Sequence, residues 1–272
     1  MKLLLALAVL LQVARTTPVL NPADFPTHKK LAENVYVWSD VHPSGLYTTN
    51  NLIVITNDGV LVADGQKDAE TTKKMVDWIG TITRQPIKTV VIGSEHGDHT
   101  GGNASFPPTA TFIKSPLPQG KQTTLKMGST DIHVLDRGRA HTGTDLVVYL
   151  PGEKILFTSE AYSHRIFPNM RAAVPAEWIQ TIKNIRTIDA NMIIPGHGFI
   201  EDGPVMKASL AEFEQALQHI VTEATRLQKT GATVETATKQ ANWGPYGAWT
   251  ASDRNAGVAI QRVYDANDGK LK

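Results

Sequence analysis

The chain has 272 residues, 41% of them apolar and 19% charged, with a net charge of +1 and no cysteine. That length supports one sizeable core, or a core with an appendage. A near-neutral balance without a basic block excludes a nucleic-acid binder, which must neutralise phosphates, and the lack of cysteine excludes disulfides, thiolate metal ligands and a cysteine nucleophile. In chain order, Met1-Lys2 ahead of the apolar run Leu3–Leu11 reads as a secretory signal peptide, too short to span a bilayer stably. The expected leader covers residues 1–16, with cleavage near Ala14, and sends the mature protein to a periplasm or the medium.

Beyond the leader, Asn34–Trp38 alternates as a strand does. Leu52–Thr56 and Val60–Asp64 flank Asn57-Asp58-Gly59, residues that tolerate the positive φ of a tight hairpin. Helical spacing follows over Asp68–Ile79, with Met75, Trp78 and Ile79 as its apolar stripe. The run Thr89–Ile92 predicts a strand. In the second half, strands are expected at Ile132–Leu135, Leu146–Leu150, Ile155–Thr158 and Met192–Ile194, with a helix around Glu177–Ile188. Met206, Leu210, Phe213, Leu217, Ile220, Ala224 and Leu227 then recur at spacings of four and three up to Gly231, an amphipathic helix suited to packing on the core. A polar linker leads to a last helix over Ala251–Asp265.

The stretch after the Thr89–Ile92 strand carries the chemistry. Ser94-Glu95-His96-Gly97-Asp98-His99 brings two imidazoles and a carboxylate onto one glycine-broken turn, where residues one and three apart can face a common centre. Four further segments end or begin strands with ligand-type residues: Asp64-Gly65, Ala140-His141-Thr142-Gly143, Thr158-Ser159-Glu160 and Pro195-Gly196-His197-Gly198. Together and in this order, they resemble the metal loops of the metallo-β-lactamase superfamily, with two departures: Ser94 stands where the family has the first histidine, and Glu160 where it usually has an aspartate.

The resemblance implies an α/β fold, a four-layer αββα sandwich over residues 17–204, with a C-terminal helical extension over 205–272 packed on it. It implies two metal sites. Asp98, His99 and His197 form a complete set, with Asp98 also orienting the attacking water. His96 and His141 form the other, where Ser94 holds a water on the metal, Glu95 substitutes, or the site stays short of a ligand. Glu160 is expected to reach a metal, and Asp64 to steady the ligand loop from behind. His164 and Arg165 are candidates to grip an anionic substrate group. His28, His42, His133 and His219 match no such loop and read as structural.

The expected activity is that of an exported metal-dependent hydrolase opening a lactam, lactone, ester or thioester of a small-molecule substrate. One zinc is expected to bind tightly and a second less certainly, with iron or manganese as other metals the ligands accept. Two other readings stay open: a non-catalytic metal-binding or interaction protein whose first site has decayed, and a mononuclear iron oxygenase built on His96, His141 and Glu160.

Overall fold

The computed structural model describes residues 19–118 and 120–271; the leader expected over residues 1–16 lies outside the described residues. Two sheets stack face to face. The first runs in the order β1 (Thr27–Ala32), β2 (Val35–Val41), β3 (Thr48–Thr56), β4 (Gly59–Ala63), β5 (Ile87–Val91) and β6 (Thr111–Ile113). The second runs β11 (Met192–Ile194), β10 (Ile155–Phe157), β9 (Leu146–Leu150), β8 (Thr130–Asp136) and β7 (Gln122–Met127).

Strand alternation sorts the apolar side chains into three layers of core. Leu52, Val54, Leu61 and Ala63 meet Val134, Leu146, Val148 and Phe157 between the sheets. Their neighbours Ile53, Val62 and Val90 face outward onto Met75 and Ile79 of α1 (Ala69–Ile82). On the opposite outer face, Val147, Leu156 and Ile193 meet α3 (Pro175–Arg186), α4 (Gly203–Lys229) and α6 (Ser252–Asn267). The result is helix, sheet, sheet, helix. The apolar stripe of α4 is consumed in this packing: Met206, Phe213, Leu217 and Ile220 are fully buried.

Five α-helices and strands go beyond the sequence expectation, one of them a one-turn helix, α2 (Gly97–Thr100), in the motif loop. Strands β1, β6 and β7 are edge strands, and the polar linker contains a short helix, α5 (Val234–Gln240). The edge strands have one unpaired side, and β1 and β7 carry polar runs (Thr-His-Lys-Lys and Gln-Thr-Thr) that discourage further pairing.

The topology delivers every ligand-type loop to one edge of the sandwich. β2 and β3 are antiparallel, so the end of β2 adjoins the start of β3; β4 and β5 are parallel and end together at that same edge. In the second sheet, β9 starts there, and β10 and the parallel β11 finish there. Asn50 ties the two edges together: its backbone N–H donates to Gly196 O at 2.8 Å, and its side-chain amide donates to Pro195 O and Gly198 O at 3.1 and 2.9 Å.

Candidate metal centre

The motif loop leaves β5 and turns at once into a one-turn helix, α2 (Gly97–Thr100), which places His96, Asp98 and His99 on successive sides of a tight bend. Its closing glycines allow the bend to lie flat on the start of α1. A Cβ on Gly102 would fall 1.9 Å from Thr72 Oγ1 and 2.1 Å from Asp68 O. Across the gap, Gly196 lets the His197 loop lie on the Glu160 turn, where a Cβ would meet the Ser159 carbonyl at 2.5 Å.

Two groups of side chains able to hold an ion converge here: Asp98, His99, Glu160 and His197, and then His96, His141 and Glu160, with the ligand atoms of each group within 4.8 Å of one another. Glu160 belongs to both. Its Oε1 lies 3.1 Å from His197 Nε2 and 3.3 Å from His141 Nε2, while Oε2 lies 2.8 Å from His96 Nδ1. The extra methylene relative to an aspartate thus sets the carboxylate between the two groups.

Each imidazole of the first group is held from behind. His197 Nδ1 donates to Thr48 O at 2.9 Å, and His99 Nδ1 lies 2.9 Å from Asp64 Oδ2. Both leave Nε2 facing inward, 3.3 Å apart. Asp64 is fully buried in a left-handed conformation (φ 65°), and it accepts from Gly93 N–H at 2.6 Å and Ser159 Oγ at 2.5 Å. One aspartate therefore fixes three loops and one ligand ring. The Asn51 amide secures that turn in its place by donating to Asp64 O and Gly65 O at 2.9 and 2.7 Å.

The donor set fits a cation. Asp98 Oδ2 is buried with no hydrogen-bond partner, yet it sits 3.3 Å from His99 Nε2 and 3.4 Å from His197 Nε2. His197 Nδ1 is committed to Thr48 O, and His99 Nδ1 lies against the Asp64 carboxylate without the alignment of a hydrogen bond, so both rings turn Nε2 toward carboxylate oxygens, and a positive charge between them relieves the contact. The ionisation equilibria report the same deficit. Burial opposes charge on His99, but Asp64 and Asp98 outweigh it and push the ring up to about 10. Burial likewise works against ionisation of Asp98 and Glu160, and the surrounding histidines overcome it and hold both carboxyls below their usual range. His141 goes the other way: burial pushes it down to about 4. Asp/His/His is the three-protein-ligand pattern that leaves a catalytic metal open to water.

No protein-family model matches the chain. A metallo-beta-lactamase type 2 of Bacillus cereus is 26% identical over 196 residues, spanning 64% of this chain and 77% of the relative. Among solved structures, a metallo-beta-lactamase from Pontibacter korlensis superposes with a TM-score of 0.61 at 23% identity, over 71% of this chain and 99% of that one. In sequence the chain is similar to metallo-β-lactamases, and it has the metallo-β-lactamase fold. The fold reaches beyond lactamases: the sec-alkylsulfatase Pisa1 from Pseudomonas sp. superposes with a TM-score of 0.74 at 13% identity, over 89% of this chain and 50% of that structure. The likeness to metallo-β-lactamases and the ion-binding cluster therefore support metal-dependent hydrolysis and leave the bond open.

The remaining sequence candidates divide. Ser94 is fully buried, and its hydroxyl donates to Glu160 Oε2. The two departures from the family pattern thus face each other, the short residue making room for the long one. Glu95 is exposed and belongs to neither group. His164 and Arg165 turn away from the cluster. His164 Nε2 meets Glu201 Oε1 at 3.0 Å, its Nδ1 meets Tyr162 Oη and Ser209 Oγ, and Arg165 reaches the same Glu201 oxygen at 3.2 Å. Burial pushes His164 down to about 4, so it is a neutral internal strut in this arrangement.

His42 is the residue that sequence reasoning missed. It follows β2, stacks on Tyr47 at 4.3 Å between ring centroids, stands edge-on to His197 at 5.3 Å, and brings Nε2 to 3.5 Å from Asp98 Oδ2. The signal was available: a histidine at a strand end before Pro43-Ser44-Gly45 has the same placement as the loops that were singled out.

Proposed function

We propose that the protein is an exported, zinc-dependent hydrolase that directs water onto a carbonyl-type bond of a small molecule: a lactam, lactone, ester or thioester. The observation that carries this reading is the convergence of Asp98 Oδ2 with the Nε2 atoms of His99 and His197 at 3.3 and 3.4 Å, with that oxygen otherwise unpartnered. Asp98, His99 and His197 would hold one metal. His96, His141 and Glu160 would hold a second, with Glu160 shared between them.

A bound metal supplies Lewis acidity and brings the pKa of water down toward ~7. The chain's own groups do the rest. Asp98 presents a carboxylate oxygen at the centre of the cluster, where it orients the attacking water and accepts its proton. Asp64 and the Thr48 carbonyl fix the tautomers of His99 and His197, so their lone pairs stay directed inward without rearrangement. Ser94 clamps Glu160, which keeps that carboxylate from swinging into the space where substrate must enter.

The iron oxygenase reading retains one observation: His96, His141 and Glu160 are a two-histidine, one-carboxylate set. Metal analysis of purified protein, run beside a panel of chromogenic lactam, lactone and ester substrates, tests both. Zinc with chelator-sensitive hydrolysis supports the proposal. Tight iron without hydrolysis favours the oxygenase, and no bound metal favours a binding protein.

A further inference from the structure

Three imidazole Nε2 atoms surround Asp98 Oδ2, those of His99, His197 and His42 at 3.3, 3.4 and 3.5 Å. Their other ring nitrogens separate them into two kinds. His197 Nδ1 faces a carbonyl oxygen and His99 Nδ1 faces a carboxylate, so those nitrogens carry the proton and Nε2 offers a lone pair. His42 is the reverse. The backbone N–H of Ser44 donates to His42 Nδ1 at 3.0 Å, so that nitrogen is an acceptor and the ring proton sits on Nε2. Ser44 Oγ, 2.8 Å from the same nitrogen, accepts from Leu46 N–H at 3.3 Å and turns its own proton toward the ring.

We propose that His42 is a positioning residue for Asp98, presenting an Nε2–H donor to the carboxylate. This rests on the reading of Asp98, His99 and His197 as a metal site. The Pro43-Ser44-Gly45 turn serves to lock the tautomer: a backbone N–H can only donate, so the ring cannot turn its lone pair toward the cluster without losing that bond. The stacking of His42 on Tyr47 and its edge contact with His197 fix the ring plane, leaving one direction for the N–H. The donor aligns a carboxylate oxygen that has no other partner, and so tunes how tightly Asp98 holds a cation without ligating it.

The test is zinc affinity, measured by competition with a chromophoric chelator on full-length mature protein, together with the visible spectrum of the cobalt(II)-loaded form. His42→Phe keeps a ring to stack on Tyr47 and removes the donor. His42→Gln restores an N–H near the same place. The expected result is a loss of about 10–100-fold in affinity at the tightest site for His42→Phe, an unchanged number of bound ions, a shifted cobalt spectrum, and recovery of most of the affinity in His42→Gln. Two results overturn the proposal: His42→Phe binding zinc within twofold of the parent with an unchanged spectrum, or His42→Phe losing one equivalent of metal outright, which would make His42 a ligand. Circular dichroism confirms that each variant is folded. Failure of the underlying reading looks different, because Asp98→Ala would then bind zinc as the parent does.

Discussion

The two halves of the ion-binding cluster are built to different standards. In the Asp98/His99/His197 half, His99 is fully buried, and each imidazole has a fixed partner behind it, Asp64 for His99 and the Thr48 carbonyl for His197. In the other half, the His96 side chain is 31% exposed, and its Nδ1 leans on Glu160, itself a shared member of the cluster. His141 rests edge-on against Trp178, a contact that sets its plane and supplies no hydrogen bond. Rigid support from behind raises ligand basicity and removes the entropy of arranging the ring at binding. The difference teaches that the His96/His141 half is the looser one, arranged around Glu160, beside a half whose side chains are held in place from behind.

The comparison breaks first at the ligands. Asp98→Ala and His197→Ala should each abolish the tight site, a loss well beyond the ~10–100-fold of changes behind the ligands. Native mass spectrometry reads this directly, and an unchanged metal content in either variant would remove the residue from the site.

Next comes Asp64, which the account makes the keystone of the rigid half. Asp64→Ala should weaken the tight site by about 10–100-fold. It should also destabilise the metal-free protein, because Gly93 N–H and Ser159 Oγ lose their acceptor at a cost of ~1–3 kcal/mol for each buried group left unpaired. Chelator competition and thermal unfolding separate the two effects. A variant with normal affinity would show that the support behind His99 does not matter.

Acid and base should also distinguish the halves in metal-free protein. His141 has a folded pKa of about 4, below its ordinary value of 6.5, so the unfolded chain binds the extra proton and stability falls as pH drops from about 6.5 toward 4. His99, at about 10, is raised. Its contribution is complete below 6.5 and is lost as pH climbs toward 10. Together, these two groups place the stability maximum near pH 6.5, and His141→Gln should flatten the acid limb alone. Urea unfolding across pH 4–10 is the check, and an unchanged acid limb in that variant would contradict the assignment.

The smallest expected effect is at Ser94. Ser94→Ala removes the hydroxyl that clamps Glu160 and should weaken only the second ion, by no more than about tenfold, the equivalent of the ~1.5 kcal/mol at the low end for a hydrogen bond to a charged group. Ser94→His is a harsher change than the sequence implied. Ser94 is fully buried against Glu160, so a third imidazole must displace that carboxylate, with an overpacking cost of ~1–3 kcal/mol. Calorimetric titration of both variants would show whether the second ion alone responds.

Legibility in the sequence followed burial. Strands β9 and β11 were readable to the residue because their apolar runs are held between layers, and the α4 stripe because three- and four-residue spacing survives in any context. Strands β1 and β7 were not, because the polar residues they carry mask the apolar pattern. At the site, the convergence of Asp98, His99 and His197 was legible from loop order. The partnership of Ser94 with Glu160 was not, since 66 residues separate them and only the stacking of the sheets brings them together. The approach of His42 to Asp98 joins residues far apart in the chain, with only the strand-end placement of His42 as a signal, and the burial of His164 against Glu201, Tyr162 and Ser209 has no local signature.

The central claim is two unequal sites sharing Glu160, and zinc titration of chelator-treated protein by isothermal calorimetry tests it most directly. The account predicts one tight equivalent and a second, weaker one, with Glu160→Gln removing the weaker and leaving the tight one bound by Asp98, His99 and His197. Two equally tight equivalents, or a Glu160→Gln variant that keeps both, would contradict it.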